Sequence, residues 1–394
     1  MKTLKSFFFH AWRPGILILV VGLAAYFVFF YKLGSLLPGY SLNESYTYHS
    51  ATHFKDVVAH PLNAPYKIPL YIGEKLAGHT LIAGRIIAAS IAVIMTLLFF
   101  MIVKRWFTYR VALLSTILFA TSTALLHVSR LSSPVILEMA TLGLISIGFW
   151  YNTSKRRMLV MILGVVMCAT LLYIPGIFWF ELFGFIFWRK KLLGEYLKLS
   201  WQYQTLGYLG TILLLAPLIR AFIIFPSEML LWLGLPEHLP AIHTVASNLV
   251  HNILSIGIRS YGSPELWLGH TPILDVIQVV LLIGGVYVFF FRHINLARNA
   301  FLLVGMSVTI ILSSLGGPIG IAMLVPFLYL IISGGIYVLL HEWLAVFPRN
   351  PIARLTGIAV VCVLVSFSVL YQWRSYFIAW PHNKATRSSF NLRS

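Results

Sequence analysis

The sequence predicts an all-α, polytopic membrane protein with two long loops on one side of the bilayer. Three observations lead there. Of 394 residues, 59% are hydrophobic and only 10% are charged, where a soluble domain carries roughly 25% charged residues. Charge-free apolar runs recur along the whole chain, many near the ~20 residues a helix needs to cross a bilayer. The Lys and Arg residues gather in alternate loops, the pattern of a chain threaded repeatedly through a membrane. Nothing in composition divides the chain, so residues 1–394 are read as a single transmembrane domain.

Hydropathy places about eleven spans. The first covers about 14–33, preceded by Lys2, Lys5 and Arg13; it lacks a small-residue cleavage site and is read as a retained helix. The following three cover about 79–103, 110–127 and 133–151. The fifth (158–177) and a short sixth (178–188) form a tight hairpin around Pro175-Gly176. The remaining five cover about 205–225, 272–291, 299–314, 318–340 and 355–372.

Charge sets the orientation. Lys104, Arg105 and Arg110, then Lys155 to Arg157, then Arg189 to Lys191 with Lys198, then Arg292 and Arg298, then Arg349 and Arg354 all fall on the side of the N-terminal cations. Together they make seventeen of the 29 Lys and Arg, and that side is expected to be cytoplasmic. The formal charge of +18 is therefore a topology signal, and no compact basic domain exists to form a nucleic-acid patch. Cys168 and Cys362 each lie inside an apolar run, far apart in sequence, which excludes a disulfide framework or a CxxC site.

The acids gather on the opposite side, together with the two longest loops, about 34–78 and about 226–271, and a tail, about 373–394. Long loops in a compact protein are functional or disordered, and the density of Trp, Tyr, Leu and Ile here argues against disorder. Tyr66 to Ile72, flanked by Lys67 and Lys75, and Ser227 to Leu235 read as interfacial helices.

The first loop carries the densest chemistry, from Pro38-Gly39 through Asn43-Glu44 to His49 and His53. Two roles are open for Glu44. Ser41 three residues earlier makes a capping box, which would spend the carboxylate on backbone N–H groups. Alternatively the carboxylate does chemistry at the membrane surface. His49 and His53, at i and i+4, would share a helical face suited to zinc, with Glu44 a conceivable third ligand; exposed, hydrogen-bonding histidines are the simpler reading. A divalent ion held by Glu44 and a lipid phosphate is left open by the sequence. No dinucleotide, P-loop, HExxH or GxSxG pattern occurs. With no soluble nucleotide-binding domain, a reaction on the outer face requires a substrate already there, such as one carried on a lipid.

A resemblance spans nearly the whole chain through short motifs. It consists of a first helix, an outer loop with Asn43-Glu44, then Ile68-Pro69-Leu70-Tyr71, then Gly84-Arg85 leading into Ala88-Ala89-Ser90. Further on come His127-Val128-Ser129-Arg130, a late helix with Leu324-Val325-Pro326-Phe327 at its middle, and the aromatic tail Tyr376 to Pro381. In these features the chain resembles GT-C glycosyltransferases, specifically the group of protein O-mannosyltransferases and the aminoarabinose transferase of lipid A.

The resemblance implies a GT-C-like bundle in the plasma (inner) membrane, N-terminus cytoplasmic and C-terminus outside, acting on the extracytoplasmic face. It implies transfer of a hexose or pentose from a polyprenyl-phosphate donor to a glycan, lipid or protein acceptor, with inversion and an acid of the first outer loop as base. Carried onto this chain, the base is Glu44 with Asn43 as an orienting amide, since many relatives have Asp-Glu where this chain has Asn43-Glu44. Removing a hydroxyl's proton needs a base within hydrogen-bond reach, and the leaving phosphate needs cations. Lys67, Arg85, Arg130, Arg220 and Arg259 are the outer-side candidates, with Arg130 expected to converge with at least one of the other arginines. A glycolipid flippase and an inactive relative of the transferases are the alternatives. The first lacks the paired broken helices of transporters, and the second would follow if Asn43 marks lost activity.

Overall fold

A computed structural model describes residues 20–77, 82–153, 157–198, 200–292 and 296–392. The start of the first predicted span, Lys2, Lys5, Arg13, Lys155 and Arg156 lie outside the described residues, and with them the predicted placement of the N-terminus. Among the described residues the regular structure is all helical, joined by turns and loops, apart from one isolated bridge between Tyr40 and Leu392.

In chain order the helices are α1 (Val20–Phe30), α2 (Leu42–His49), α3 (Phe54–Ala59), α4 (Ala64–Ala77), α5 (Ile82–Trp106), α6 (Tyr109–Ala120) and α7 (Thr123–Ser129). A 3₁₀ turn at Pro134–Ala140 leads into α8 (Thr141–Thr153), followed by α9 (Arg157–Leu171), α10 (Ile177–Tyr196), α11 (Trp201–Ile224), α12 (Pro226–Trp232) and α13 (Ile242–Gly257). Then come α14 (Val276–Tyr287), α15 (Leu296–Ser314), α16 (Val325–Val346), α17 (Pro351–Arg374), α18 (Trp380–His382) and α19 (Lys384–Ser389).

Among the described residues, five helices are long and apolar enough to cross a membrane: α5, α11, α15, α16 with its preceding turn, and α17 with its continuation. Broken α6–α7 adds a sixth, and four shorter apolar helices match the first, fourth, fifth and eighth predicted spans, leaving the short sixth to α10. A turn at Pro175-Gly176 separates α9 from α10, but the expected tight hairpin is not formed: α10 is a 20-residue helix that runs on through the basic residues after Trp188 and packs on α15 and α8, while α9 packs on α8 and α11. Pro326 also differs from expectation. It opens α16, where its missing N–H is no loss, instead of interrupting a helix.

α16 is the centre of the bundle. Every residue from Val325 to Ile336 is buried. α14 lies against it at backbone distance, because glycines face each other. A Cβ on Gly335 would fall 1.9 Å from the Leu281 carbonyl oxygen, and one on Gly285 would fall 1.9 Å from that of Ile331. Without a hydrophobic drive between helices in lipid, such small-residue contacts hold membrane helices together. α5 uses Ala88, Ala89 and Ala92, all fully buried, in the same way. α11 is the opposite case. Leu213 and Ile223 are 76% exposed, so its apolar side is available to lipid tails.

The third predicted span is not continuous. α6 and α7 meet at 58° around Thr121-Ser122. The break is tolerable because its backbone donors are satisfied within the protein, the general condition for irregular chain at membrane depth. Ser122 Oγ accepts from Leu125 N, and the Gln372 side chain on α17 accepts from Thr123 N at 3.0 Å. Gln372 in turn donates to Asp275, which caps α14 in a box with Gln278. Gln278 is fully buried, donates to Ser368 and accepts from Tyr329.

At the predicted outer end, α17 runs on through a wide turn (Ser375–Ala379) into α18 and α19. Tyr376, Trp380 and Phe390 pack with Leu37, Leu126 and Leu131, joining the tail to the first loop and α7. Tyr40 N donates to the Leu392 oxygen at 2.9 Å and Leu392 N returns to Tyr40 at 3.2 Å.

Candidate active site

The first long loop folds as its sequence instructs. Ser41, in extended backbone, caps α2. Its hydroxyl accepts from Glu44 N at 3.2 Å, while Glu44 Oε2 accepts from Ser41 N at 3.1 Å. The capping box is therefore real, but it is only half of what Glu44 does. Arg85, at the start of α5, grips the same carboxylate in two places, Nε to Oε1 at 2.7 Å and Nη2 to Oε2 at 2.8 Å. The Ser132 backbone N–H, from the turn after α7, adds a fourth bond to Oε1 at 2.8 Å. Glu44 is 0% exposed and Arg85 is 1% exposed.

The arginine is as fully engaged as the acid. It also donates to the carbonyl oxygens of Leu33 at 3.3 Å and Gly39 at 3.0 Å, and its guanidinium lies 4.5 Å from the Tyr40 ring centroid. Gly84 makes the approach of Ser132 feasible, since a Cβ there would fall 1.8 Å from Ser132 Oγ. Tyr66 closes the back of the knot, donating to the Gly84 carbonyl at 2.9 Å. Burial and the nearby Glu44 carboxylate hold its phenol well above the usual tyrosine range.

This geometry encloses Glu44, in place of the expected carboxylate opening toward the outer leaflet. Each of its oxygens already accepts two hydrogen bonds, and no face meets solvent. A divalent ion at Glu44 fares no better, because it would have to displace Arg85. His49 and His53 do not share a helical face either. α2 ends at His49, His53 sits in extended backbone ahead of α3, and both are exposed. Among the described residues no group of three His, Cys, Asp or Glu could hold a metal.

The five candidate cations separate. Arg85 and Arg130 come together on one segment. Arg130 donates to the carbonyls of Val28 at 3.1 Å and Tyr31 at 2.5 Å, beside the Arg85 contacts to Leu33 and Gly39. Its guanidinium also lies against the rings of Tyr376 and Phe377, at 5.5 and 4.9 Å. Arg130 is buried and does not point into lipid; its Nε has no hydrogen-bond partner. Lys67 lies elsewhere. It donates to the His60 carbonyl at 2.8 Å, and His60 Nδ1 lies 2.8 Å from Glu228, tying the first loop to α12. Burial holds the Lys67 ammonium below the usual lysine range, with Glu228 opposing that shift. Arg220 is exposed beside an apolar groove along α11, and Arg259 is exposed over the Tyr261 ring.

One acid absent from the sequence-derived set stands at this place. Glu265, from the second long loop, meets the N-terminal turn of α2. Asn43 Nδ2 donates to Glu265 Oε2 at 2.6 Å, and the Ser41 hydroxyl donates to Oε1. Glu265 is half-buried, and Asn43 is exposed. Three segments thus meet here: the first loop, the turn at Ser263–Trp267, and the tail, whose Trp380 and Thr386 donate to the Pro264 carbonyl.

A helical membrane bundle with this loop arrangement defines the fold as GT-C-like. Its solved relatives in shape are membrane glycosyltransferases. The chain is similar to ArnT from Cupriavidus metallidurans bound to undecaprenyl phosphate, at a TM-score of 0.51 and 12% identity over 95% of this chain and 77% of that one. The apo form of the same enzyme gives 0.51 and 14% identity, over 96% of this chain and 77% of that one. An oligosaccharyltransferase from Archaeoglobus fulgidus gives 0.53 and 11% identity, over 95% of this chain and 56% of that one. No protein-family profile and no curated protein sequence matches.

Proposed function

We propose that the chain is an integral-membrane glycosyltransferase that moves a sugar from a polyprenyl-phosphate donor to an acceptor hydroxyl, with inversion, at the outer face of the plasma (inner) membrane. The observation that carries this reading is the polar site at the junction of both long loops and the tail, at the end of an apolar bundle of GT-C shape. A lipid-borne donor suits such a site, since it reaches the junction by diffusing within the bilayer. The undecaprenyl phosphate bound by the ArnT neighbour supports a donor of that class. Arg130, with an unpartnered Nε beside the tail, is the cation best placed for the leaving phosphate, because guanidinium N–H groups match phosphate oxygens. Lys67, Arg220 and Arg259 hold the loops or face the surroundings.

The test is incubation of the protein in native membranes with radiolabelled undecaprenyl-phosphate hexoses and pentoses plus a membrane extract. Label is expected to move to an acceptor and polyprenyl phosphate to be released. Failure of every donor to transfer would remove the enzymatic reading. Orientation is checked separately in intact cells. A cysteine at position 387 should react with an impermeant maleimide from outside and one at position 105 should not, as the Lys/Arg distribution requires; the reverse pattern would overturn the outer-face assignment.

A further inference from the structure

We infer that Glu265, reaching in from the second outer loop, is the general base of the transfer. This inference rests on the glycosyltransferase reading above and assigns the proton acceptor within it.

Four observations lead to Glu265. The first is exclusion: Glu44 is enclosed, and all four of its hydrogen bonds come from Arg85, Ser132 and Ser41. The second is position. Glu265 lies directly on Asn43, an exposed amide in the first turn of α2, with 2.6 Å between the amide nitrogen and Oε2. The third is the kind of partner. Both donors to Glu265, an amide and a hydroxyl, are neutral, and among the described residues no ion pair involves it. Neutral donors orient a carboxylate without quenching it as a paired guanidinium does, and each oxygen keeps a further lone-pair direction for a substrate proton.

The fourth is rigidity. Leu266 N and Trp267 N both donate back to the Ser263 carbonyl, and the Pro264 carbonyl accepts from Trp380 at 3.1 Å and Thr386 at 3.3 Å. Trp267 is buried against the His127 ring. The carboxylate is thus carried on a turn fixed from both sides, with one edge open to the exterior.

In the step so assigned, the acceptor O–H gives its proton to Glu265. The freed oxygen pair forms a bond to the anomeric carbon, and the bond from that carbon to the phosphate oxygen breaks. The leaving pair stays on the polyprenyl phosphate. Glu265 then passes its proton to water.

Glu265→Gln preserves shape and should lower kcat by about 10²- to 10⁴-fold, the usual cost of losing a general base, with donor KM and unfolding midpoint close to wild type. Adding Asn43→Asp returns a carboxylate within hydrogen-bond distance of the lost one, and should raise the rate of Glu265→Gln by about tenfold or more. Transfer by Glu265→Gln at the wild-type rate, while the wild-type protein is active, would overturn this assignment and leave the transferase reading intact. A rate loss that follows a lowered unfolding midpoint and is not rescued by Asn43→Asp would also overturn it, showing a structural role. Wild-type protein inactive with every donor would overturn both.

Discussion

Substituting Glu44 with Gln tests the central knot. In the wild-type protein the carboxylate accepts from Arg85 Nε and Nη2, from Ser132 N and from Ser41 N. An amide has one acceptor oxygen. If that oxygen stays with Arg85 Nε and Ser132 N, the new NH₂ faces two other donors, Arg85 Nη2 and Ser41 N. The guanidinium, 1% exposed, then keeps that oxygen at Nε and the Leu33 and Gly39 carbonyls but has no counter-charge. Removing one partner of a buried ion pair costs about 3–5 kcal/mol, and an orphaned buried N–H adds about 1–3 kcal/mol where the chain cannot relax. These contributions overlap, so about 3–5 kcal/mol is the expected total. Glu44→Gln should therefore lower the unfolding midpoint of the detergent-solubilised protein by several degrees and open residues 34–63 to limited proteolysis. Arg85→Lys should do much the same, since an ammonium cannot reproduce the two-pronged grip. Wild-type unfolding and protease resistance in Glu44→Gln would refute the view that this residue is a structural post.

Two further substitutions probe the bundle. Gly335→Ala puts a methyl group 1.9 Å from the Leu281 carbonyl; forcing α14 and α16 apart should cost about 1–3 kcal/mol, read as a lower unfolding midpoint, and Gly148→Ala, which meets open space, should change nothing. Gln372→Leu removes the acceptor for Thr123 N and a donor to Asp275; about 1–3 kcal/mol is expected, with faster hydrogen exchange at Thr123 as the local signature.

Much of this architecture is legible in the sequence because its causes are local. Charge-free runs place α5, α11 and α17, and Ser41-x-x-Glu44 announces the cap of α2. The partners of the cap residues are not local. Arg85 is 41 residues from Glu44, and Glu265 is 224 residues from Ser41. No periodicity carries such pairings. The break between α6 and α7 is hidden for a related reason. Thr121 and Ser122 are mild enough in hydropathy to pass inside an apolar window, and what makes the bend tolerable is a glutamine on α17. His49 and His53 mislead because their spacing promises a common helical face only if one helix contains both. The chain leaves the helix after His49.

The tail has a consequence for biosynthesis. Residues 376–392 supply Tyr376 and Phe377 to Arg130, two donors to the Pro264 carbonyl that carries Glu265, and the backbone bridge to Tyr40. A ribosome makes this stretch after every segment it joins. A chain arrested before residue 376 can already hold its membrane helices yet lacks the brace for the loop that bears Glu265. Completion of this junction is thereby postponed until the bundle is threaded.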